Sequence, residues 1–246
     1  MNFALNDDQL ELKQAARAWL ADRFPLDRDW EAQDDRWSEL EELGWLDVAE
    51  AGLGFVEEAL LLEELGYVCY PGFFLGHVAG SAADGDLSTV DPTRSAVRIE
   101  DETPRFRAAA AAEALGVAQR ALDLGVGHAK TRSQFGKPIG TYQAVSHPLA
   151  QTYTDVELAR SLVYWAAWCV AEDDERAPVA AAAAKAFATE AAVAACERSI
   201  QAHGGIGFTW EHPLHRFYKR ALWLEGIGAR PAELRLEVAE SLVAGR

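Results

Sequence analysis

The residues best suited to chemistry lie in a glycine-punctuated stretch, RSQFGKPIG, which runs from Arg132 to Gly140. It combines two cations with an aromatic side chain, and it lies between two segments with helical periodicity. A guanidinium binds a phosphate group through two parallel hydrogen bonds, and glycine allows a backbone to approach a ligand closely. The stretch therefore suggests a hairpin that binds an anion. The simplest alternative is a structural helix hairpin, with Arg132 in solvent and Phe135 buried.

Charge is distributed unevenly along the 246 residues. Residues 1–104 carry 24 acidic against 7 basic side chains, whereas residues 105–246 carry 15 against 16. The net charge of −16 therefore comes from the first part, and the second part can accept an anion. A nucleic-acid partner is not expected, because neutralising phosphates requires a broad basic face.

A second group with chemical potential contains His203, His212 and His215. His212 and His215 have the i, i+3 spacing that zinc sites use. Such sites need three or four ligands with supporting hydrogen bonds, and here Pro213 separates the pair without an acidic or cysteine partner in pattern. No metal site is expected. The three cysteines are widely spaced and odd in number, which indicates a protein with reduced thiols.

The elements that must position these residues are helices. Asn6 followed by Gln9 predicts a capping box at the first helix, and a later acidic helix is expected to end at Gly66. A long helix begins near residue 105, and we expect its Gly116, Gly125 and Gly127 to permit close contact with neighbouring helices.

A tract at 76–104, rich in Gly, Asp, Ser and Pro, interrupts the helical pattern. Alternation near Ser95–Ile99 predicts one strand or hairpin within this linker. Long helices on short loops predict an antiparallel bundle over 105–246, preceded by a small helical domain over 1–75. From these helical patterns we expect an all-α fold. No apolar run looks long enough to span a bilayer and no signal peptide is recognised, so we expect a cytoplasmic protein.

Four stretches, taken together, resemble the acyl-CoA dehydrogenase family. They are FALNDDQLELKQAARAWL, EALGVAQRALDLGVGHAKTRSQFGKPIGTYQAVSHPLA, DVELARSLVYWAA and QAHGGIGFTWEHPLHRFYKRA. The second contains the family's R-x-x-F-G-K turn, and the fourth is close to its Q-x-x-G-G-x-G-[YF]-[TN] signature. They occur in the family's order and cover most of the chain.

The resemblance implies an FAD site shared between subunits. Three hairpin residues correspond to those that reach across the interface to the ADP half of FAD, and three at the end of the alanine-rich helix correspond to a second cross-subunit contact. These six residues are Arg132, Gln134, Phe135, Gln201, Gly204 and Gly205. The two glycines would also serve as a plain helix cap.

Members of the family place a β-domain between their two helical parts, where it shields the flavin and lines the acyl-CoA site. A small barrel needs roughly eight strands of five or six residues each. The 29 residues from Gly76 to Pro104 cannot supply them. We therefore expect only a linker and an incomplete flavin site.

The catalytic base is also expected to be missing. The family's reaction uses a carboxylate to remove the proton α to a thioester, while the β-carbon gives hydride to the flavin. Ungapped alignment of FYKRALWLEGIGARPAELR places Gly228 at the base position, and the family's alternative position falls on Phe106. Glu225 would serve if the alignment shifted by three residues. Glu113, two turns after Phe106, is interpreted as an interface or solvated charge.

The sequence thus predicts a subunit of a heteromeric FAD-dependent acyl-CoA dehydrogenase that is inactive alone. Its longer partner would carry the catalytic Glu and most of the FAD site. The resemblance to α2β2 assemblies that oxidise steroid side-chain CoA esters makes such an ester the expected substrate. Two alternatives remain open: a helical interaction protein that has lost flavin, and a stand-alone dehydrogenase that uses Glu225.

Overall fold

The structure is a computed structural model that describes residues 5–30, 35–48, 51–72, 74–79 and 102–244. The helices of the described residues are α1 Asp7–Arg23, α2 Trp37–Glu42, α3 Phe55–Tyr67, α4 Phe74–Val78, α5 Pro104–Thr131, α6 Gln143–Ala171, α7 Ala177–His203, α8 Leu214–Gly226 and α9 Pro231–Ala244. Two short strands, β1 Ser133–Gln134 and β2 Lys137–Pro138, join α5 to α6. The prediction of an all-α fold is confirmed. The predicted strand near Ser95–Ile99 lies outside the described residues.

The centre of the bundle is α5, which packs against α3, α6 and α7. Every residue of α5 from Ala108 to Ala118 is buried, as expected of a helix that is surrounded by others. Buried side chains from Ala16 in α1 to Ile227 after α8 belong to one continuous hydrophobic cluster. The predicted boundaries at residues 75 and 104 therefore mark a change in sequence character, while the core runs through both parts.

Within the described part of the chain, one helical stretch, Ala177–Phe208, has the length and hydropathy of a membrane span. However, 67% of its qualifying window is buried inside the bundle, as in the core helix of a water-soluble domain. The many alanines of α7 explain both properties, because they are apolar and small enough for close helix packing.

Two glycines bring α3 and α5 into backbone contact. A Cβ atom added to Gly116 would overlap the carbonyl of Glu63, and one added to Gly66 would overlap the carbonyl of Glu113. The close approach expected at Gly116 is therefore found. By contrast, α3 continues to Tyr67, so Gly66 is a packing position inside the last turn. A Cβ at Gly127 would meet nothing within 4 Å, so this glycine makes no close helix contact.

Buried acids join the first helices to the bundle. Glu63 is 1% exposed and accepts hydrogen bonds from Lys13, Arg160 and Tyr164, whose hydroxyl lies 2.8 Å away. Its neighbour Glu64 is fully buried and pairs with a cation of α1. Each buried carboxylate therefore has a cationic partner, which offsets the cost of its desolvation.

Candidate functional site

The RSQFGKPIG stretch forms a tight antiparallel hairpin. Ser133 pairs with Pro138 and Gln134 with Lys137, which leaves Phe135-Gly136 as a two-residue turn. Both turn residues have positive φ, 52° and 81° respectively. These are the requirements of a type I′ turn, whose twist matches that of the paired strands.

Phe135 occupies this turn at a cost. A left-handed conformation is unfavourable for a bulky side chain, by about 1–3 kcal/mol. Its side chain is also 92% exposed, and its ring meets that of Tyr142 edge-on with 6.4 Å between centroids. The alternative that buries Phe135 within its own chain is wrong. A strained, exposed phenylalanine in a well-defined hairpin favours a role in binding.

Arg132 follows the last residue of α5 and is exposed. Among the residues that the structure describes, its guanidinium makes no ion pair or hydrogen bond. The second cation of the hairpin, Lys137, lies 4.3 Å from the centre of the Tyr142 ring and is engaged there. The Tyr142 hydroxyl donates a hydrogen bond to the carbonyl of Gln134 at 3.2 Å. The hairpin is thus braced from within, while Arg132 remains available to a ligand.

The end of α7 provides the second part of the candidate site. Gly204 terminates the helix with φ of 65°, as predicted, and Gly205 follows it. A Cβ at either glycine would meet nothing within 4 Å, and Gln201 one turn earlier is exposed. The backbone of this turn is therefore open to close approach by a ligand. An open glycine turn and an unpaired guanidinium are each suited to contact the diphosphate of a dinucleotide.

A stack of three histidines brings the two parts together. His128 stacks on His203 with ring centroids 4.2 Å apart, and His203 contacts His212 at 4.4 Å. His128 lies one turn before Arg132 and its carbonyl accepts the Arg132 amide hydrogen bond at 2.9 Å. His203 directly precedes Gly204. Sequence reasoning considered His203 and His212 only as metal ligands and missed His128 entirely.

The stack favours neutral imidazoles. Burial lowers the pKa of all three rings, and mutual repulsion adds to this for His128 and His212. The effect is largest for His212, whose pKa is lowered to about 4. Across the described residues, no group of three or more His, Cys, Asp or Glu side chains is placed to hold a metal ion. The ring contacts of the stack connect the end of α5, before the hairpin, with the end of α7, before the glycine turn.

The predicted base positions carry no carboxyl group of their own. Gly228 lies between α8 and α9 with φ of 67°, and Phe106 is 4% exposed in the core. Glu225, near the end of α8, is half-buried, and its pKa is raised by burial and by Glu190 and Glu197.

Glu113 was wrongly interpreted as an interface or solvated charge. It is 6% exposed and lies 3.4 Å from the buried Arg220. Burial raises the pKa of its carboxyl, and the guanidinium opposes that shift. Glu113 thus belongs to an ion pair inside the bundle.

Apolar surface surrounds the candidate site. Ile206, Phe208 and Trp210, which follow the glycine turn, are 51%, 73% and 72% exposed. A groove of about 850 Å³ lies between α5 and α6 and is lined by Leu122, Pro138 and Tyr153, among others. Exposed apolar surface of this kind is typical of a face that another protein covers.

Comparison with known families matches most of the chain. Residues 98–237 match the model of the acyl-CoA dehydrogenase C-terminal domain, and residues 6–84 match that of the N-terminal domain. The acyl-CoA dehydrogenase IpdE2 of Mycobacterium tuberculosis is 41% identical over 146 residues, which are 55% of this chain and 44% of that protein. The probable acyl-CoA dehydrogenase YngJ of Bacillus subtilis is 39% identical over 62% of this chain and 40% of its own length. The chain thus spans less than half the length of these relatives.

Solved structures share the fold. A variant of the Tcur3481–Tcur3483 steroid ACAD superposes with a TM-score of 0.78 at 22% identity, covering 98% of this chain and 99% of that one. The ChsE4–ChsE5 complex from Mycobacterium tuberculosis superposes with a TM-score of 0.77 at 19% identity, covering 99% of both chains. At these identities the likeness establishes architecture.

Proposed function

Because the chain belongs to the acyl-CoA dehydrogenase family, we propose that it is a subunit of a heteromeric, FAD-dependent acyl-CoA dehydrogenase. In this role it completes the flavin site of a longer partner subunit and does not supply the catalytic base. When bound, FAD supplies the hydride acceptor of the dehydrogenation. The proposed place of assembly is the cytoplasm.

Two observations carry this proposal: the guanidinium of Arg132 has no described partner, and the Gly204-Gly205 turn is open to a ligand. The histidine stack holds both at one end of the bundle. We assign to the flavin clamp the residues Arg132, Gln134, Phe135, Gln201, Gly204 and Gly205. Arg132 would donate charge-assisted hydrogen bonds to the diphosphate, which is why it is expected to contribute binding affinity rather than chemistry.

The exposure of the clamp supports its use in a partner's site. All three hairpin members of the clamp face solvent in this chain. Phe135 is almost fully exposed and Arg132 has no described partner, so the chain's own fold does not explain either residue. A longer subunit that packs on this end of the bundle would cover Phe135, Phe208 and Trp210 and bring its flavin to Arg132.

The proton-abstracting carboxylate is assigned to the partner. Neither Gly228 nor Phe106 has a side chain that can accept a proton. Glu225 lies near two other acids, Glu190 and Glu197. The position of the family's base, Gly228, instead lies next to Lys185. The two structural neighbours described above are heteromeric in name, and one is called a steroid ACAD. A bulky fused-ring acyl-CoA ester is therefore the substrate class that we propose for the complex.

Co-expression tests the proposal. The chain is purified alone and with a longer acyl-CoA dehydrogenase subunit from the same genome, and the mass and flavin absorbance of each species are recorded. We expect a colourless, inactive chain alone and a yellow, active complex. A colourless complex would favour a helical interaction protein that has lost flavin. A yellow chain that dehydrogenates acyl-CoA by itself would favour the stand-alone enzyme with Glu225 as base.

A further inference from the structure

A buried lysine lies directly beneath the turn that contains Gly228. Lys185 in α7 is 1% exposed, and its ammonium donates hydrogen bonds to the carbonyls of Ile227 at 2.5 Å and Ala229 at 3.0 Å. It also pairs with the carboxylate of Glu102. Burial lowers the pKa of Lys185, and Glu102 opposes that shift. The Glu102 carboxylate therefore offsets part of the cost of burying the Lys185 ammonium.

Glu102 reaches this position from the residue before Thr103, the N-cap of α5. Its Oε2 atom accepts a hydrogen bond from the Ala229 amide at 3.0 Å. The same atom lies 3.1 Å from Nε of Arg107, which makes an ion pair whose angle does not allow a hydrogen bond. Arg107 in turn pairs with Glu237 in α9 through a 2.6 Å hydrogen bond. The Glu102 cluster, defined as Glu102, Lys185 and Arg107, thus joins α5, α7 and α9 around the turn.

The cluster occupies the space that a side chain at position 228 would need. A Cβ atom built on Gly228 would lie 2.5 Å from Oε1 and 2.8 Å from Cδ of Glu102, and 3.2 Å from Nζ of Lys185. The backbone of Gly228 is also left-handed, with φ of 67°. No side chain, carboxylate or otherwise, fits there while Glu102 keeps its hydrogen bonds.

We propose that Glu102 is a positioning residue. It fixes the backbone of the turn between α8 and α9 and leaves no room for a side chain at position 228. This inference rests on the proposed function, since it explains how a subunit without a base at that position keeps the turn ordered. The Glu102 carboxylate substitutes structurally for a side chain at 228 and is itself held by two cations.

Substitutions in the full-length chain test this coupling by thermal unfolding. Gly228→Ala should lower Tm by about 10 °C, because it adds both backbone strain and a collision with Glu102. Gly44→Ala is the matched control, because Gly44 also has positive φ, 72°, but open space around its Cβ position. It should lower Tm by about 3 °C, which measures the backbone strain alone.

The decisive comparison places Gly228→Ala in backgrounds that withdraw Glu102. In the Glu102→Ala background, where Lys185 has lost its carboxylate partner, Gly228→Ala should lower Tm by no more than Gly44→Ala does. Should Glu102→Ala fail to fold, Glu102→Asp is used instead, because it retains the charge on a shorter side chain. In this background the decrease in Tm caused by Gly228→Ala should be about half of that in wild type. If Gly228→Ala lowers Tm equally in all backgrounds, the proposal is overturned. Since unfolding of the chain requires no flavin, this result is independent of whether the complex binds FAD.

Discussion

His128 and His203 lie face to face, with 4.2 Å between ring centroids and 27° between ring planes. One ring belongs to the last turns of α5 and the other to the end of α7, so a single aromatic contact aligns the hairpin with the glycine turn. His212 also contacts His203, with ring centroids 4.4 Å apart, so His203 touches both other imidazoles. The geometry of the proposed flavin clamp therefore depends on imidazoles that are close together and uncharged.

Acid should loosen this stack. For a base whose pKa is lowered by folding, the unfolded chain binds more protons, so stability is complete above the unfolded pKa and falls as pH drops towards the folded value. For His212 this window runs from its ordinary 6.5 down to about 4. Because the ring is half-exposed, solvent screening limits the loss to on the order of 1 kcal/mol.

The measurement is Tm of wild type and His212→Gln between pH 7.5 and 5, because His212 is the ring whose pKa is lowered most. The neighbouring charges that act on the stack are His215, beside His212, and Arg132, beside His128. We expect wild type to lose about 3 °C more than the variant over this range. Identical pH dependence in both proteins would show that the stack does not titrate as described.

Phe135→Asn should stabilise the chain while impairing its function. Asparagine adopts left-handed φ more readily than phenylalanine, so relief of strain in the hairpin should add about 0.5–1 kcal/mol to the free energy of unfolding. In the complex, loss of the ring should reduce flavin content. Urea unfolding and flavin absorbance are measured on the same preparations. A variant that is less stable and retains all of its flavin would contradict both the strain and the contact.

The helices could be predicted because their signals are local. Asn6 and Gln9 exchange hydrogen bonds of 2.8 and 3.1 Å, as their spacing predicts. Glu102 and Lys185 meet from positions 83 residues apart, and no sequence pattern specifies such a pair. The exposure of Phe135 was equally beyond local reasoning, because an aromatic residue between helices is usually buried and this one is expected to be covered by another chain.

Arg132→Ala should release FAD from the complex without preventing assembly. A charge-assisted bidentate contact to a phosphate contributes about 1.5–3 kcal/mol, which corresponds to at least a tenfold weaker retention of flavin. Lys130→Ala is the matched control, since it removes an exposed cation from the same end of α5 without touching the clamp. Flavin absorbance after dialysis and the mass of the complex are compared. Equal flavin loss in the two variants would assign the effect to general charge.

Gly116→Ala should unfold the chain or lower its stability by more than about 3 kcal/mol, because the added methyl overlaps the Glu63 carbonyl and forces α3 away from α5. Gly127→Ala is an internal control in the same helix, since its Cβ position is open. Because alanine is the better helix former, it should raise stability by up to about 1 kcal/mol. The difference between the two variants, measured by urea unfolding, isolates the helix contact from helix propensity. If Gly116→Ala unfolds at the same urea concentration as wild type, α3 does not lie against α5 as the structure places it, and the single continuous core that connects the N-terminal helices to the bundle would have to be abandoned.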